Sequence, residues 1–140
     1  MNEFVSLKEL ATMLKSPILA EELSLSHGCY YVVVDPNSQG DWEELPFHSR
    51  CPIIALENGN PIPPEAPIDL SCKASQLDDI LNAINSQPQA SAVACQVLRA
   101  NESSNISAGL VFESLAYSTL LESGGFQDLY LIHISEPTRL

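Results

Sequence analysis

Leu7, Leu10, Ala11 and Leu14 recur at the spacing of one helix face, directly behind Ser6-Leu7-Lys8-Glu9. That segment has the form of a capping box, in which a serine hydroxyl and a glutamate three residues on satisfy each other's backbone amides. Ser16-Pro17 stops the run, so the spacing predicts a helix over about residues 7–15. Ile18 to Leu23 reads as a further short helical turn that ends near Gly28.

The period then changes. Tyr30-Tyr31-Val32-Val33-Val34 is a β-branched and aromatic run closed by the turn signal Asp35-Pro36-Asn37. Its uniform apolarity predicts a strand covered on both faces. Cys51-Pro52-Ile53-Ile54-Ala55-Leu56 reads as a second strand and Pro67-Ile68-Asp69-Leu70-Ser71-Cys72 as a weaker third, each with a proline near its start. The Pro- and Asn-rich stretch between them, residues 57–66, is a loop.

Helical spacing returns in the second half. Leu77, Ile80, Leu81 and Ile84 form one stripe, and Ala90, Val93, Ala94, Val97 and Leu98 form another, with Pro88 in its first turn. A last helix is expected from about Ser107 to Glu122, with Leu110, Val111, Ser114, Leu115 and Ala116 on one face and Ser123-Gly124-Gly125 as its stop. The pattern predicts an α/β fold: a small, mainly parallel sheet of about three strands packed with helices, and a helix-rich second half.

The 140 residues are 45% hydrophobic and 17% charged, enough for one small core and too apolar for a disordered chain. Eighteen acidic residues against six basic ones give a formal charge of −12, which argues against nucleic-acid or anionic-membrane surfaces. The acidic residues are dispersed and read as solvated faces. No window approaches the roughly 18 apolar residues of a membrane span, and no basic segment leads an apolar one at the N-terminus, so a cytoplasmic protein is expected.

Motifs for chemistry are sparse. Cys29, Cys51, Cys72 and Cys95 form no CxxC pair, so no zinc site is expected and each reads as a small buried hydrophobe. His48 and Cys51 could make a thiolate pair, but no third group is placed to orient it. His27 lies in a polar loop, and the six glycines assemble neither a dinucleotide fingerprint nor a phosphate loop. Asp35 and Glu57 stand at the carboxyl ends of strands, where α/β sheets hold ligands, and read as turn carboxylates. Glu113 and Tyr117 share a helix face by spacing and read as interface hydrogen-bonders. The sequons at Asn101 and Asn105 read as loop and cap residues. No catalytic, cofactor-binding or metal-binding residue is expected, and no cofactor.

One resemblance stands out. The segments Arg50-Cys51-Pro52-Ile53-Ile54-Ala55-Leu56, Pro88 to Arg99 and Gly109-Leu110-Val111-Phe112-Glu113-Ser114-Leu115-Ala116-Tyr117-Ser118-Thr119-Leu120-Leu121 resemble the region ahead of the catalytic domain in some bacterial enoyl-CoA hydratase/isomerase (crotonase) family proteins. The resemblance covers roughly residues 50–127. It implies a parent enzyme of acyl-CoA metabolism, whose chemistry needs backbone N–H groups to hold a thioester oxyanion. Here Gly59 is followed by Asn60-Pro61-Ile62-Pro63-Pro64, and proline has no N–H to donate, so no family catalytic residue carries over.

Leu131-Ile132-His133-Ile134-Ser135-Glu136-Pro137-Thr138-Arg139 resembles a translated sequencing-library adapter. A single domain is therefore expected over 1–127 and a non-native tail over 128–140. Without that tail the acidic count falls from 18 to 16 and the basic from 6 to 5, leaving −11. The expected role is a non-catalytic N-terminal domain truncated before its crotonase domain. Its partner would be that missing C-terminal domain, or a second copy in a homo-oligomer. The alternative is a stand-alone interaction or dimerisation module formed by helices 88–100 and 107–122; a degenerate acyl-CoA binder ranks last, because Lys8, Lys15, Lys73, Arg50 and Arg99 form no cluster for the CoA phosphates.

Overall fold

Ser6 closes the first strand and opens the first helix, and the rest of the architecture grows from that junction. The computed structural model describes residues 3–35, 37–46, 49–59 and 61–122. The region 128–140, expected to be a non-native tail, lies outside the described residues, as does His48. Two units emerge, divided at Pro88.

The first unit runs β1 (Glu3–Ser6), α1 (Leu7–Lys15), α2 (Pro17–Glu22), β2 (Val32–Asp35), β3 (Ile53–Leu56), β4 (Leu70–Cys72) and α3 (Ala74–Ser86), with single 3₁₀ turns at Leu25–His27 and Trp42–Glu44. The four strands form one sheet in the order β1-β2-β3-β4, every pair parallel. Val32 stands opposite Glu3 on one side and Ile53 on the other.

Both faces are covered, as the uniform apolarity of β2 requires. On one face Val32, Val34 and Ile53 pack with Leu7, Leu10, Ala11 and Leu14 of α1 and with Leu23, Leu45, Cys29 and Cys51. On the other, Val33, Ile54 and Cys72 pack with Leu81 and Ile84 of α3 and with Tyr31. The sheet advances in one direction, and right-handed crossovers keep successive connections on the same side. The packing agrees: α1, Trp42, Leu45 and Ile68, from all three connections, lie on the first face, and only α3, after the last strand, covers the second.

The sheet has four strands where the sequence pattern gave about three. The added strand is β1, whose four residues Glu-Phe-Val-Ser carry too short an alternation to register alone and become a strand only by pairing with β2. β4 is shorter than expected, because Asp69 is taken up by β3: its carboxylate accepts from the Ile53 amide at 2.8 Å.

The second unit is a helical hairpin, α4 (Pro88–Glu102) and α5 (Ile106–Leu121). Asn105 caps α5 by accepting from the Ala108 amide at 2.8 Å. The expected inward stripes are corrected in part. A cleft between the helices is lined by Ala92, Val93, Gln96, Val97 and Ala100 of α4 and by Phe112, Leu115, Ala116 and Thr119 of α5. Leu98, Leu110 and Val111, placed on inward faces by their spacing, are 57–63% exposed. The reason lies in α5, whose apolar residues surround the helix, so periodicity alone selects no face. Gly109 sets the contact instead: it is buried, and an added Cβ would meet Asn101 Oδ1 at 2.9 Å.

Candidate functional site

Ligands of parallel α/β sheets settle at the carboxyl edge, on helix N-termini whose amides are unpaired. At α1 those amides are taken. In the first turn of α1, Leu7 donates to Ser38 Oγ at 3.0 Å, Lys8 to the Gln39 carbonyl at 2.8 Å and Glu9 to Ser6 Oγ at 3.1 Å. The Glu9 carboxylate accepts in return from the Ser6 amide at 2.8 Å. That amide and then the Ser6 hydroxyl hold the Glu9 carboxyl below its ordinary range.

The plug on this edge is the turn after β2. Asp35 accepts from the Asn37 amide at 2.9 Å, and Ser38 Oγ donates to the Asp35 carbonyl. Gly40 then presses on α1 at a φ of +119°; a Cβ there would lie 2.6 Å from the Lys8 amide nitrogen. Glu57, after β3, accepts from Ser71 Oγ at 3.3 Å. At α3 the Lys73 amide donates to Gln76 Oε1 at 3.1 Å. The two carboxylates singled out from the sequence thus serve their own turns, and nothing joins them in one site.

Cys51 is buried and sits 3.7 Å from the Cys29 sulfur, with Ser49 Oγ 3.6 Å from its own. The neighbouring Cys29 thiol and burial push the Cys51 thiol well above its ordinary value, opposite to what a thiolate nucleophile needs. Cys72 is also pushed up, by burial first and then by the charge of Glu57. Cys29, Cys51 and Cys72 lie in the core, and Cys95 is half-buried. Among the described residues no group of three or more His, Cys, Asp or Glu side chains could hold a metal ion.

Two clusters escaped the sequence reading. One is the sulfur pair itself, whose members are 22 residues apart with no motif between them. The other is Ser24, Ser26 and His27, where His27 Nδ1 lies 3.1 Å from Ser24 Oγ and 3.3 Å from Ser26 Oγ. It resembles a serine–histidine dyad, but Ser24 is buried and donates its hydroxyl proton to the Glu21 carbonyl at 2.6 Å. The Ser24 hydroxyl therefore closes the 3₁₀ turn instead of serving as a nucleophile.

The hairpin offers the larger surface. Ile106, Leu110, Val111, Leu115 and Tyr117 are each more than half exposed, and the cleft beside Leu115 encloses about 450 Å³. Glu113 is the single charged residue in the sixteen of α5, and it accepts from Asn101 Nδ2 at 3.4 Å. Glu113 and Tyr117 are both exposed, four residues apart on the same helix. Among the described residues no helix is long and apolar enough to cross a membrane. Comparison with known proteins returns no matching family model, no matching curated protein and no matching solved structure.

Proposed function

We propose that this chain is the non-catalytic N-terminal module of a crotonase-family acyl-CoA enzyme and that it acts by packing α4 and α5 against the catalytic domain. The observation that carries the reading is α5: apolar around its circumference, with one charge in sixteen residues, it is built to be covered. The segments that resemble the crotonase-family region include both helices of the hairpin. The occupied amides at the carboxyl edge of the sheet favour a packing role over turnover.

The test has two parts. The isolated chain is given crotonyl-CoA and the loss of the enoyl absorbance is followed; no hydration is expected, and measurable hydration overturns the reading. The source DNA is then read downstream of the Gln127 codon. A continuing frame with a glycine-rich oxyanion segment is expected, and a native stop there overturns the assignment to a longer enzyme.

The cleft between α4 and α5 favours a second reading, a stand-alone module that dimerises through residues 88–122. Its small residues Ala92, Ala100 and Ala116 leave room for an inserted side chain from a second copy. Sedimentation over a concentration series decides: a dimer weakened by Leu115→Lys supports it, and a monomer at the highest concentration rejects it.

A further inference from the structure

We propose that Cys29 and Cys51 form a built-in dithiol that closes to an intramolecular disulfide and staples the approach to β2 onto the approach to β3. The two sulfurs lie 3.7 Å apart, in contact, while a disulfide needs about 2.05 Å. Cys29 lies three residues before β2 and Cys51 two residues before β3, so both sit just outside the ladder of neighbouring parallel strands. Val32 donates to the Pro52 carbonyl at 2.9 Å and fixes the two approaches side by side.

The surroundings select this pair. Ser49 Oγ donates to the Cys51 carbonyl at 2.6 Å and lies 3.6 Å from its sulfur, holding the turn that aims Cys51 inward. Cys29 Sγ lies 3.5 Å from the Tyr31 carbonyl. Cys72 belongs to the cluster on the opposite face of the sheet, and Cys95 to the helical unit.

The oxidant is a low-molecular-weight disulfide such as oxidised glutathione. Opening of the approach segments admits it, and one thiol loses its proton. The thiolate attacks the oxidant, forming a mixed disulfide and releasing one small thiolate. The second cysteine, deprotonated in turn, attacks the protein sulfur of the mixed disulfide; the Cys29–Cys51 bond forms and the second small thiolate leaves. The two protons given up by the cysteines end on the two released thiols, and two electrons pass from the dithiol to the oxidant.

The closed loop spans 22 residues and carries the turn that seals α1, so oxidation raises the unfolding temperature and holds that turn in place. The experiment incubates the native chain with oxidised glutathione and maps its peptides by mass spectrometry. The expected product is lower in mass by two hydrogens, has a Cys29–Cys51 cross-link, and titrates two thiols where four were present. A linkage other than Cys29–Cys51, or glutathione adducts in place of a cross-link, overturns the proposal. The Cys72→Ala/Cys95→Ala variant, which keeps only the pair, is expected to oxidise within one chain and to melt higher for it. Failure to cross-link in that variant, with its fold confirmed by circular dichroism, also overturns it.

Discussion

β2 and α5 are comparably apolar stretches with opposite fates. Val32, Val33 and Val34 are at most 2% exposed, because α1 lies over one face of the sheet and α3 over the other. Leu110, Val111 and Leu115 are 57–61% exposed in a hairpin where, among the described residues, α5 shares a cleft with α4. Apolarity alone therefore does not make a core; the number of layers the chain brings to a segment does. The sheet unit buries its apolar strand on both faces, and the hairpin leaves these three side chains more than half exposed.

The sharpest way to break this contrast is to remove equal side chains from the two regions. Leu10→Ala, at a site with 0% exposure, is expected to cost about 3 kcal/mol in urea unfolding. Leu115→Ala is expected to cost less than about 0.5 kcal/mol and to weaken association instead. Equal losses at the two sites would show that α5 is already covered within the chain.

Glycines sharpen it next. Gly40→Ala places a methyl group 2.6 Å from backbone at a left-handed φ, and a loss of about 2 kcal/mol is expected in thermal denaturation. Gly109→Ala meets only the end of the Asn101 side chain at 2.9 Å. That amide can move, and helix propensity returns up to about 1 kcal/mol, so stability within about 1 kcal/mol of the native chain is expected.

Alkali separates the units more gently. The Cys51 and Cys72 thiols are raised in the folded chain, so above about pH 9 the unfolded chain releases protons that the folded one keeps. Their contribution is fully present below that range and is lost as pH rises, with Cys51 the larger of the two. Urea melts at pH 7.5 and 10 check this, and a Cys51→Ala/Cys72→Ala variant should lose most of the difference.

The last effect is at the β1–α1 junction. Ser6→Ala removes the cap and is expected to cost about 1 kcal/mol by urea unfolding. Because the Glu9 carboxyl is lowered in the folded chain, its contribution is present above the ordinary carboxylate range and lost as pH falls through the folded value. Ser6→Ala removes the hydroxyl but keeps the amide that is the larger cause, so it should weaken that acid dependence only in part.

What could be read from the chain beforehand was local. Leu7–Lys15 matches the helix drawn from the capping box and the Leu7-Leu10-Ala11-Leu14 stripe, because both signals lie within the helix itself. β1 depends on a partner 29 positions away, Glu3 against Val32, and left no mark of its own. The carboxylates of Asp35 and Glu57 were placed correctly at strand ends; the Asp35 bond to Asn37 follows from short-range geometry, and the Glu57 bond to Ser71 from the pairing of β3 with β4. The approach of Cys29 to Cys51 follows from the pairing of β2 with β3 and from nothing nearer in sequence. The face of α5 was illegible for a different reason: a helix apolar on every side has no direction to read.

The strand order carries a last consequence. A doubly wound sheet opens a crevice where its order reverses, because two neighbouring strands then send their connections to opposite sides and the carboxyl edge gapes between them. Running 1-2-3-4, this sheet never turns back on itself. Among the described residues the strand order therefore contains no reversal of the kind at which doubly wound sheets hold their ligands.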